Sequence, residues 1–498
     1  MKVSTMRAWE HAKTLLLVAL IVSSLVLSMQ VWLGPSVVGG SGRYPQPFVL
    51  PGARGDVSWQ ELVQPRWLAL HLGGDRHAWL PPGAEPIAPF LWGALGELAL
   101  ALGGDDLKPI GPAEIDRAYV GADDWLGVEA SLPGQLSLVL WQQLWSGITR
   151  RGAPAAGVTA DGVTALPIDR LSLFVAPERA LIAVRTPAGY YGREFAFDDL
   201  AARRVDAAAR SVLRLLTLAA GELELTPATI LTDVAGLRVA PGLVAANPEP
   251  APALVQLSVP AVDWDPLVRA FFRNPPALRQ VLRGTLRIYT DGEASVSVQP
   301  QQGRLEYQAP GALGAAGLGP GPERSEVRPL PTLGQALARA AAFGNEHGGW
   351  PEGVYLAGVT VLHERGALAE LGQRPQPKGF RLEFGLRIEG LSVDGPPVVV
   401  AEVGAGGVTT WIRRFAENRL QERIALPLQP AQAAIARMGE LALEELPAAS
   451  RLLRDIDLVY ADFGDGFHKP AWRLYMSDGA EVYVDAWNVN LYRLKPGG

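Results

Sequence analysis

The sequence predicts an α+β protein in which a single N-terminal transmembrane helix is followed by a multi-domain, mixed α/β ectodomain. Three observations lead to this prediction: an uncharged apolar run near the N-terminus, helical and strand-like patterns interspersed along the rest of the chain, and a length of 498 residues. Because a domain commonly takes about 150 residues, about three domains are expected. The 48% of hydrophobic residues provides enough apolar material to fill their cores.

The predicted anchor is the run at 14–33, which carries no charged residue. As a helix it is long enough to cross the hydrocarbon core of a bilayer, which is about 30 Å thick. Basic residues outnumber acidic ones before the run, and no further charge follows it until Arg43. The positive-inside rule therefore predicts a single-pass protein of the cell membrane, with residues 1–13 in the cytoplasm and the bulk extracytoplasmic. A cleaved signal peptide with a site near 38–41 is the alternative, although its apolar core would be shorter.

Charge and cysteine content exclude several classes of function. The chain carries 51 acidic and 45 basic residues, whereas a nucleic-acid partner requires clustered positive charge. It contains no cysteine, which excludes thiol nucleophiles, disulfides and cysteine-ligated metals. We therefore expect no nucleic-acid partner and no chemistry that depends on a thiol.

Periodic patterns and Pro/Gly-rich segments divide the chain after the anchor. The predicted order is a linker at 34–56, an N-terminal α/β domain at 57–162, a central α+β domain at 163–310, a second linker at 311–331 and a C-terminal α+β domain at 332–498. Apolar residues at helical spacing predict helices at 89–103, from Asp198 or Asp199 to Gly221, at 332–343 and at 429–446. Strand-like patterns occur at 66–72, 125–132, 135–141, 171–176 and 180–186.

Two Asp-Gly dipeptides between strand-like segments predict tight hairpins, because glycine supplies the positive φ that such turns need. They lie at 291–292 and 478–479. The surrounding stretch 287–298 resembles 473–484, with one residue inserted. Two explanations remain open: the last two domains are related copies, or the likeness reflects only two hairpins of the same type.

The sequence contains none of the common enzyme signatures: no GxxxxGK[ST], no GxSxG, no SxxK and no complete GxGxxG. His363 and Glu364 lack the second histidine of an HExxH zinc site. His71 and His77 flank a Gly-Gly-Asp turn, where a solvated loop pair is favoured over a pair of metal ligands. We therefore assign no catalytic residue, metal ligand or cofactor, although the paired carboxylates of a hydrolase leave no signature in one sequence.

Several stretches along the chain carry a family resemblance. After the basic N-terminus and the apolar run they are Leu62-Val-Gln-Pro65, the strand of His71, Tyr289-Thr-Asp-Gly292, Leu305-Glu-Tyr307, Phe343-Gly-Asn345-Glu-His-Gly-Gly-Trp350, Tyr355, Phe380-Arg-Leu and Pro470-Ala-Trp472. Together they resemble the YycH family, single-pass extracytoplasmic regulators of the essential WalK/WalR two-component system of Gram-positive bacteria. This chain departs from the family in its greater length and its Pro-, Gly- and Ala-rich loops. The residues assigned to structural motifs, here and in the two hairpins, are Tyr289, Asp291, Gly292, Trp350, Asp478 and Gly479.

The resemblance implies a three-domain α+β ectodomain whose last two domains are alike and which has no enzymatic activity. It also implies a complex with a YycI-like protein and a WalK-like sensor histidine kinase, whose output this chain would tune in signal transduction and cell-wall homeostasis. The alternative belongs to another class, a membrane-anchored cell-wall-binding module or cell-wall hydrolase, and rests on the expected location and the aromatic residues.

The anchor itself contains candidate partner contacts. At about 100° per residue, a helix over 14–33 carries two stripes of small and polar side chains. The first stripe is Ala19, Ser23 and Gln30, and the second is Ser24 and Ser28. Because helices associate in lipid at small and polar residues, we expect one stripe to contact the kinase's transmembrane helix and the other a YycI-like anchor. The alternative is that a single-pass helix merely tolerates these residues.

Overall fold

The structure, a computed structural model, describes Leu20 and residues 48–74, 76–80, 87–100, 102, 107–120, 124–148, 166–197, 203–222, 225–247, 252–272, 275, 278–309, 330–363, 377–420, 427–444 and 451–495. The chain divides into two compact units, residues 1–44 and residues 45–498. Leu20 is helical, and the rest of the predicted anchor lies outside the described residues, including Ala19, Ser23, Ser24, Ser28 and Gln30. No helix within the described ranges is both long and apolar enough to span a membrane.

The described part of the chain has the predicted α+β composition. Its helices are α1 (Trp59–Leu62), α2 (Ile87–Ala99), α3 (Pro112–Tyr119), α4 (Leu138–Ile148), α5 (Arg203–Glu222), α6 (Trp264–Ala270), α7 (Leu333–Glu346) and α8 (Ala431–Glu444). The earlier strands are β1 (Phe48–Val49), β2 (Trp67–His71), β3 (His77–Leu80), β4 (Lys108–Ile110), β5 (Leu126–Ser137), β6 (Pro167–Val175), β7 (Arg179–Thr186), β8 (Gly189–Ala196), β9 (Thr226–Ile230), β10 (Arg238–Val239), β11 (Val244–Ala246) and β12 (Val255–Ser258). The later strands are β13 (Arg279–Arg283), β14 (Leu286–Thr290), β15 (Ser295–Gln299), β16 (Arg304–Gln308), β17 (His347–Gly348), β18 (Val354–His363), β19 (Pro377–Ile388), β20 (Leu391–Val393), β21 (Val399–Gly404), β22 (Gly407–Arg414), β23 (Glu417–Leu420), β24 (Leu452–Asp462), β25 (His468–Met476), β26 (Glu481–Asp485) and β27 (Tyr492–Lys495). The four predicted helices correspond to α2, α5, α7 and α8.

The smaller sheet has the order β11-β9-β3-β2-β5-β6-β7-β8-β4. Neighbouring strands in it are antiparallel throughout. Helices α2, α4 and α5 pack against its central strands β5 and β6. These helices cover one face of β6, and Tyr119 of α3 and Asp455 of the larger sheet contact the other, so β6 is buried along almost its whole length rather than on alternate residues.

The prediction of a strand at 135–141 is wrong in its second half. Strand β5 ends at Ser137, and the residues after it form helix α4. Trp141, Leu144 and Trp145 recur at helical spacing and are buried. The ring of Trp145 lies 5.4 Å from that of Trp92 on α2. An apolar run of this length fits either element, and packing against α2 decides for the helix.

The larger sheet follows the path β13-β14-β15-β16-β22-β21-β19-β20-β24-β25-β12-β23, with β10, β18, β26 and β27 paired beside it. Helix α7 packs on β19, β21 and β22, and it also contacts α4. Helix α8 buries Ala434, Ile435 and Met438 in a second core with residues of β24 to β26. The two sheets meet where β5 contacts β18.

The sheets do not follow the predicted domain boundaries. Of the predicted central domain at 163–310, strands β6 to β8 belong to the smaller sheet and β13 to β16 to the larger one. The predicted linker at 34–56 also takes part, because Phe48 pairs with His347 in a parallel bridge of β1 and β17. Strand pairing joins segments that are distant in sequence, which local composition does not encode.

Both predicted Asp-Gly hairpins are present. Strands β14 and β15 flank Gly292, whose φ is 96°, and β25 and β26 flank Gly479, whose φ is 85°. The side chains of Asp291 and Asp478 accept backbone N–H hydrogen bonds within their own turns at 2.9–3.0 Å. The turn chemistry of both dipeptides is therefore as predicted, whereas the relatedness of the two regions stays a prediction.

Candidate functional site

A group of buried charges lies where the two sheets meet. Glu129 on β5 and Arg170 on β6 come from the smaller sheet, and Asp455 on β24 comes from the larger one. Arg170 Nη1 donates to Glu129 Oε1, and Arg170 Nη2 donates to Asp455 Oδ1 at 2.6 Å. The side chains of Arg170 and Glu129 are 0% exposed. One guanidinium thus connects carboxylates of both sheets.

Three more side chains extend this group. The hydroxyl of Tyr119, at the end of α3, donates to Glu129. Arg185 Nε on β7 donates to Asp169 Oδ1 at 2.7 Å, and its Nη2 lies 3.7 Å from Asp455 Oδ2. The interface cluster, as we call it, consists of Tyr119, Glu129, Asp169, Arg170, Arg185 and Asp455.

Burial and pairing act in opposite directions on the pKa values of the interface cluster. Burial lowers the pKa of Arg170, but the charges of Asp455 and Glu129 outweigh this effect and raise it well above its ordinary value. Burial raises the pKa of Asp455, but Arg170 and Arg185 outweigh this effect and lower it. Burial and the charge of Glu129 raise the pKa of Tyr119. At neutral pH, Arg170 and Asp455 are therefore charged and Tyr119 is a neutral donor.

His71 and His77 lie beside the interface cluster and correct the expectation of a solvated pair. They face each other across β2 and β3 and are only 0% and 5% exposed. Their Nδ1 atoms are 3.0 Å apart, so one ring donates to the other. Burial, with the charges of His77 and Arg170, lowers the pKa of His71 well below its ordinary value. The rings of Tyr119 on α3 and of Phe174 on β6 pack on His71, at 4.8 and 5.8 Å between ring centres.

A second buried arginine connects the segment before β2 to the larger sheet. Arg387 on β19 donates to Gln64 Oε1 at 2.9 Å and to the carbonyl oxygen of Pro65 at 2.7 Å. Its guanidinium carbon lies 3.9 Å from the centre of the Tyr355 ring on β18. No carboxylate within the described ranges forms an ion pair with Arg387, and burial lowers its pKa to about 10. Two stretches of the family resemblance, 62–65 and Tyr355, therefore meet at this side chain.

A third stretch, 343–350, forms a corner that binds the segment preceding α1. Trp350 is 0% exposed, and its Nε1 donates to the carbonyl oxygen of Ala341 at 3.1 Å. The side chain of Asn345 binds both the backbone N–H and the carbonyl oxygen of Val57, at 3.2 and 3.0 Å. The backbone of Trp350 also pairs with that of Arg54, so this corner binds both the end of the predicted linker and the predicted domain start.

A small cavity adjoins the interface cluster. It has a volume of about 30 Å³, and its lining includes Trp67, whose ring lies 4.9 Å from the guanidinium of Arg170. About one or two water molecules fit this volume, whereas small-molecule sites take roughly 300 Å³ or more. Within the described ranges, no group of three or more His, Asp or Glu side chains is placed to hold a metal ion.

The other residues assigned to structural motifs lie apart from the interface cluster. Tyr289 is buried on β14, near one end of the larger sheet. Asp291 with Gly292 occupies a turn near that end, and Asp478 with Gly479 occupies a turn beyond β25. The structure does not bring these two turns together, so they belong to the scaffold rather than to one site.

Sequence reasoning missed the interface cluster, although a signal for it exists. Glu129, Arg170 and Asp455 each lie in a strand that is rich in apolar residues. A charge in such a position is either on an exposed face or paired inside. The partners Arg170 and Asp455 are separated by 285 positions, so the pairing itself could not be inferred locally.

Comparison with known proteins assigns no family to the chain. No family model matches it, and no curated protein matches it. Among solved structures, that of an uncharacterized protein from Eubacterium rectale aligns with 49% of this chain and 86% of that chain, at 11% identity and a TM-score of 0.33. A likeness at this level carries no argument about fold or function.

Proposed function

We propose that this chain is a membrane-anchored extracytoplasmic regulator that binds a WalK-like sensor histidine kinase together with a YycI-like protein. The observation that carries the proposal is the placement of the stretches that resemble the YycH family. Residues 62–65 and Tyr355 meet at Arg387, and 343–350 binds the chain at Val57. The stretches thus hold together distant segments of one ectodomain, which suits a protein whose function is to present surfaces to partners.

The anchor supplies the second part of the proposal. Residues 14–33 form the single membrane-spanning helix, with the N-terminus in the cytoplasm. The stripe of Ala19 and Ser23 contacts one partner helix, and the stripe of Ser24 and Ser28 contacts the other, because small residues allow close approach of helices in lipid.

Co-purification from membranes tests the proposal. Full-length tagged chain is expressed with the WalK-like kinase and the YycI-like protein and extracted in mild detergent. We expect both partners to co-purify, and kinase autophosphorylation to change when the chain is deleted. Replacing Ala19 and Ser23 by Leu, or Ser24 and Ser28 by Leu, is expected to weaken recovery of one partner each. Val18→Leu with Val22→Leu is the matched control, because it keeps the helix apolar and both positions lie outside the two stripes.

Two outcomes contradict the whole proposal, and a third contradicts its account of the anchor. Recovery of neither partner, with muropeptides released from purified cell wall by the chain, supports the cell-wall alternative. A mature chain that starts near Ser41 removes the anchor from the protein. If both Leu pairs leave partner recovery unchanged while deletion of the chain alters kinase output, the anchor is only a tether and regulation belongs to the ectodomain.

A further inference from the structure

The larger sheet ends in an exposed two-stranded ribbon. The edge ribbon, residues 279–290, consists of β13, its turn and β14, and all five residues of β13 are exposed. Within the described ranges, β14 is the strand that pairs with β13, and the other side of β13 is open. Because backbone groups alternate in direction along a strand, part of the N–H and C=O groups of β13 point away from β14.

Apolar side chains lie on this open edge. Val281 is 53% exposed and Leu282 is 68% exposed, the highest value among the exposed large hydrophobic side chains of the described residues. The two side chains point to opposite faces of the ribbon. Sheet edges with exposed apolar residues invite pairing with another strand, so this edge is suited to a partner.

Charge identifies the kind of partner. The edge ribbon contains Arg279, Arg283 and Arg287 and no acidic residue, although the chain as a whole has a net charge of −6. Arg283 and Arg287 are exposed, and neither forms an ion pair with another described residue. Arg283 lies on the face of Val281, and Arg287 lies opposite Leu282 on the other face. Because Arg287 belongs to β14, a strand added beside β13 meets Arg283 next to Val281 on one face and Leu282 on the other.

A second copy of the chain is disfavoured at this edge, because its own β13 would bring the same positive charges to it. In an antiparallel pairing centred on Val281, Arg279 of one copy would lie opposite Arg283 of the other. Like charges directly opposite each other across a strand pair are destabilising. The complementary occupant is a strand that carries acidic side chains between apolar ones.

We propose that β13 is a strand-addition site for an extended segment of a partner protein in which acidic and β-branched apolar residues alternate. The backbone of β13 supplies the hydrogen bonds, Arg283 selects acidic side chains on one face, and Leu282 supplies apolar contact on the other face. This site is independent of the proposed regulatory function and of the identity of the kinase.

A designed peptide tests the site on the full-length chain in detergent. The probe is a labelled peptide that alternates Glu and Val, and the controls are a Lys-Val peptide and a Glu-Val peptide interrupted by Pro. Fluorescence anisotropy is expected to show saturable binding of the Glu-Val peptide only. Amide exchange at residues 279–283 is expected to slow when it binds. Arg283→Glu is expected to weaken binding by about fivefold. Arg214→Glu, at an exposed position of helix α5, is expected to leave binding unchanged.

Any of four results overturns the proposal. The Glu-Val peptide fails to bind, or it binds without slowing exchange at 279–283. Self-association that Leu282→Ser abolishes assigns the edge to a second copy. Binding to phosphatidylglycerol vesicles that Arg283→Glu abolishes, without peptide binding, assigns it to a membrane surface.

Discussion

Arg170 and Arg387 are both buried, yet their charges are accommodated in different ways. Arg170 lies between Glu129 and Asp455, and their charges raise its pKa against the effect of burial. Arg387 binds a side-chain amide and a carbonyl oxygen and lies over a ring, and burial lowers its pKa to about 10. The environment of Arg170 stabilises a cation by ion pairs, whereas that of Arg387 relies on neutral dipoles.

The difference determines what remains when the arginine is removed. Without Arg170, two carboxylates stay buried between the sheets, and Arg185 is the nearest remaining cation to Asp455. Without Arg387, only neutral groups lose a partner. An unpaired buried charge costs much more than an unpaired buried carbonyl, so the two sites differ in their contribution to stability even though both join distant segments.

The largest expected effect comes from Arg170→Met. Leaving Glu129 and Asp455 without their shared cation is expected to lower the free energy of unfolding by about 3–5 kcal/mol. Urea denaturation followed by tryptophan fluorescence measures it. The matched control is Arg179→Met, because Arg179 pairs with Glu194 at 3.1 Å on the surface and its loss is expected to cost at most about 1 kcal/mol. Equal effects of the two substitutions would contradict the comparison.

Arg387→Met is expected to have a smaller effect, about 1–3 kcal/mol, because it removes the donor to the carbonyl oxygen of Pro65 and to Gln64 Oε1 but leaves no charge unpaired. The same denaturation experiment measures it. Arg387→Lys serves as the control, since it keeps a cation near the ring of Tyr355 but loses the guanidinium that donates to both Gln64 and Pro65. If Arg387→Met lowered the free energy of unfolding as much as Arg170→Met or more, ion pairing would not be what distinguishes the two sites.

The histidine beside the interface cluster predicts a pH dependence. The pKa of His71 is lowered in the folded state, so the unfolded chain binds the proton more readily. Stability is therefore expected to fall as the pH drops below about 6.5. Burial also lowers the pKa values of His347 and His468, so they contribute in the same direction.

Unfolding free energies measured between about pH 7 and pH 5 test this dependence. His71→Asn keeps a side-chain donor and acceptor near His77 and is expected to flatten the slope relative to the unchanged chain. The carboxylate of Asp455 acts in a separate window: its lowered pKa stabilises the fold above about pH 4, and this contribution is lost as the pH falls further. An unchanged slope in His71→Asn would mean that this histidine titrates alike in both states.

The smallest effect is expected at a hairpin outside both arginine sites. Gly292 has a φ of 96°, and apart from its chain neighbours no described residue has an atom within 4 Å of the place that a Cβ would take, so a side chain there meets strain but no clash with them. Gly292→Val is expected to destabilise by about 1 kcal/mol, because β-branched residues resist positive φ. An unchanged melting temperature would show that the turn relaxes. Gly284 in the turn of the edge ribbon has a φ of 63°, so the melting temperature of Gly284→Val tests the same effect at a second turn.

Local signals allowed much of the secondary structure to be predicted. Helices α5, α7 and α8 follow the spacing of their apolar residues, and the turn at Gly292 follows from the need for positive φ. The end of the strand at Ser137 could not be predicted, because the apolar residues after it suit a strand or a helix equally well and packing against α2 decides.

The interface cluster could not be predicted for a different reason. Beside this cluster, His71 and His77 flank a glycine-rich turn, which locally indicates solvent exposure, but the fold buries both, and the ring of Tyr119 from α3 packs on His71. Likewise, Arg170 and Asp455 form an ion pair because the two sheets meet, and their spacing in the sequence does not indicate it. Contacts between sheets are set by the whole fold, whereas turns and helix faces are set by a few neighbouring residues.

A double-mutant cycle on Arg170 and Asp455 tests most directly that this ion pair joins the two sheets. The cycle compares Arg170→Met, Asp455→Asn and the double substitution by urea denaturation of the full-length chain. We predict that the double substitution costs less than the sum of the two single ones by about 2–3 kcal/mol, since removing both partners leaves fewer unpaired charges at the interface. Additivity within about 0.5 kcal/mol would contradict the account, because the two side chains would then contribute independently.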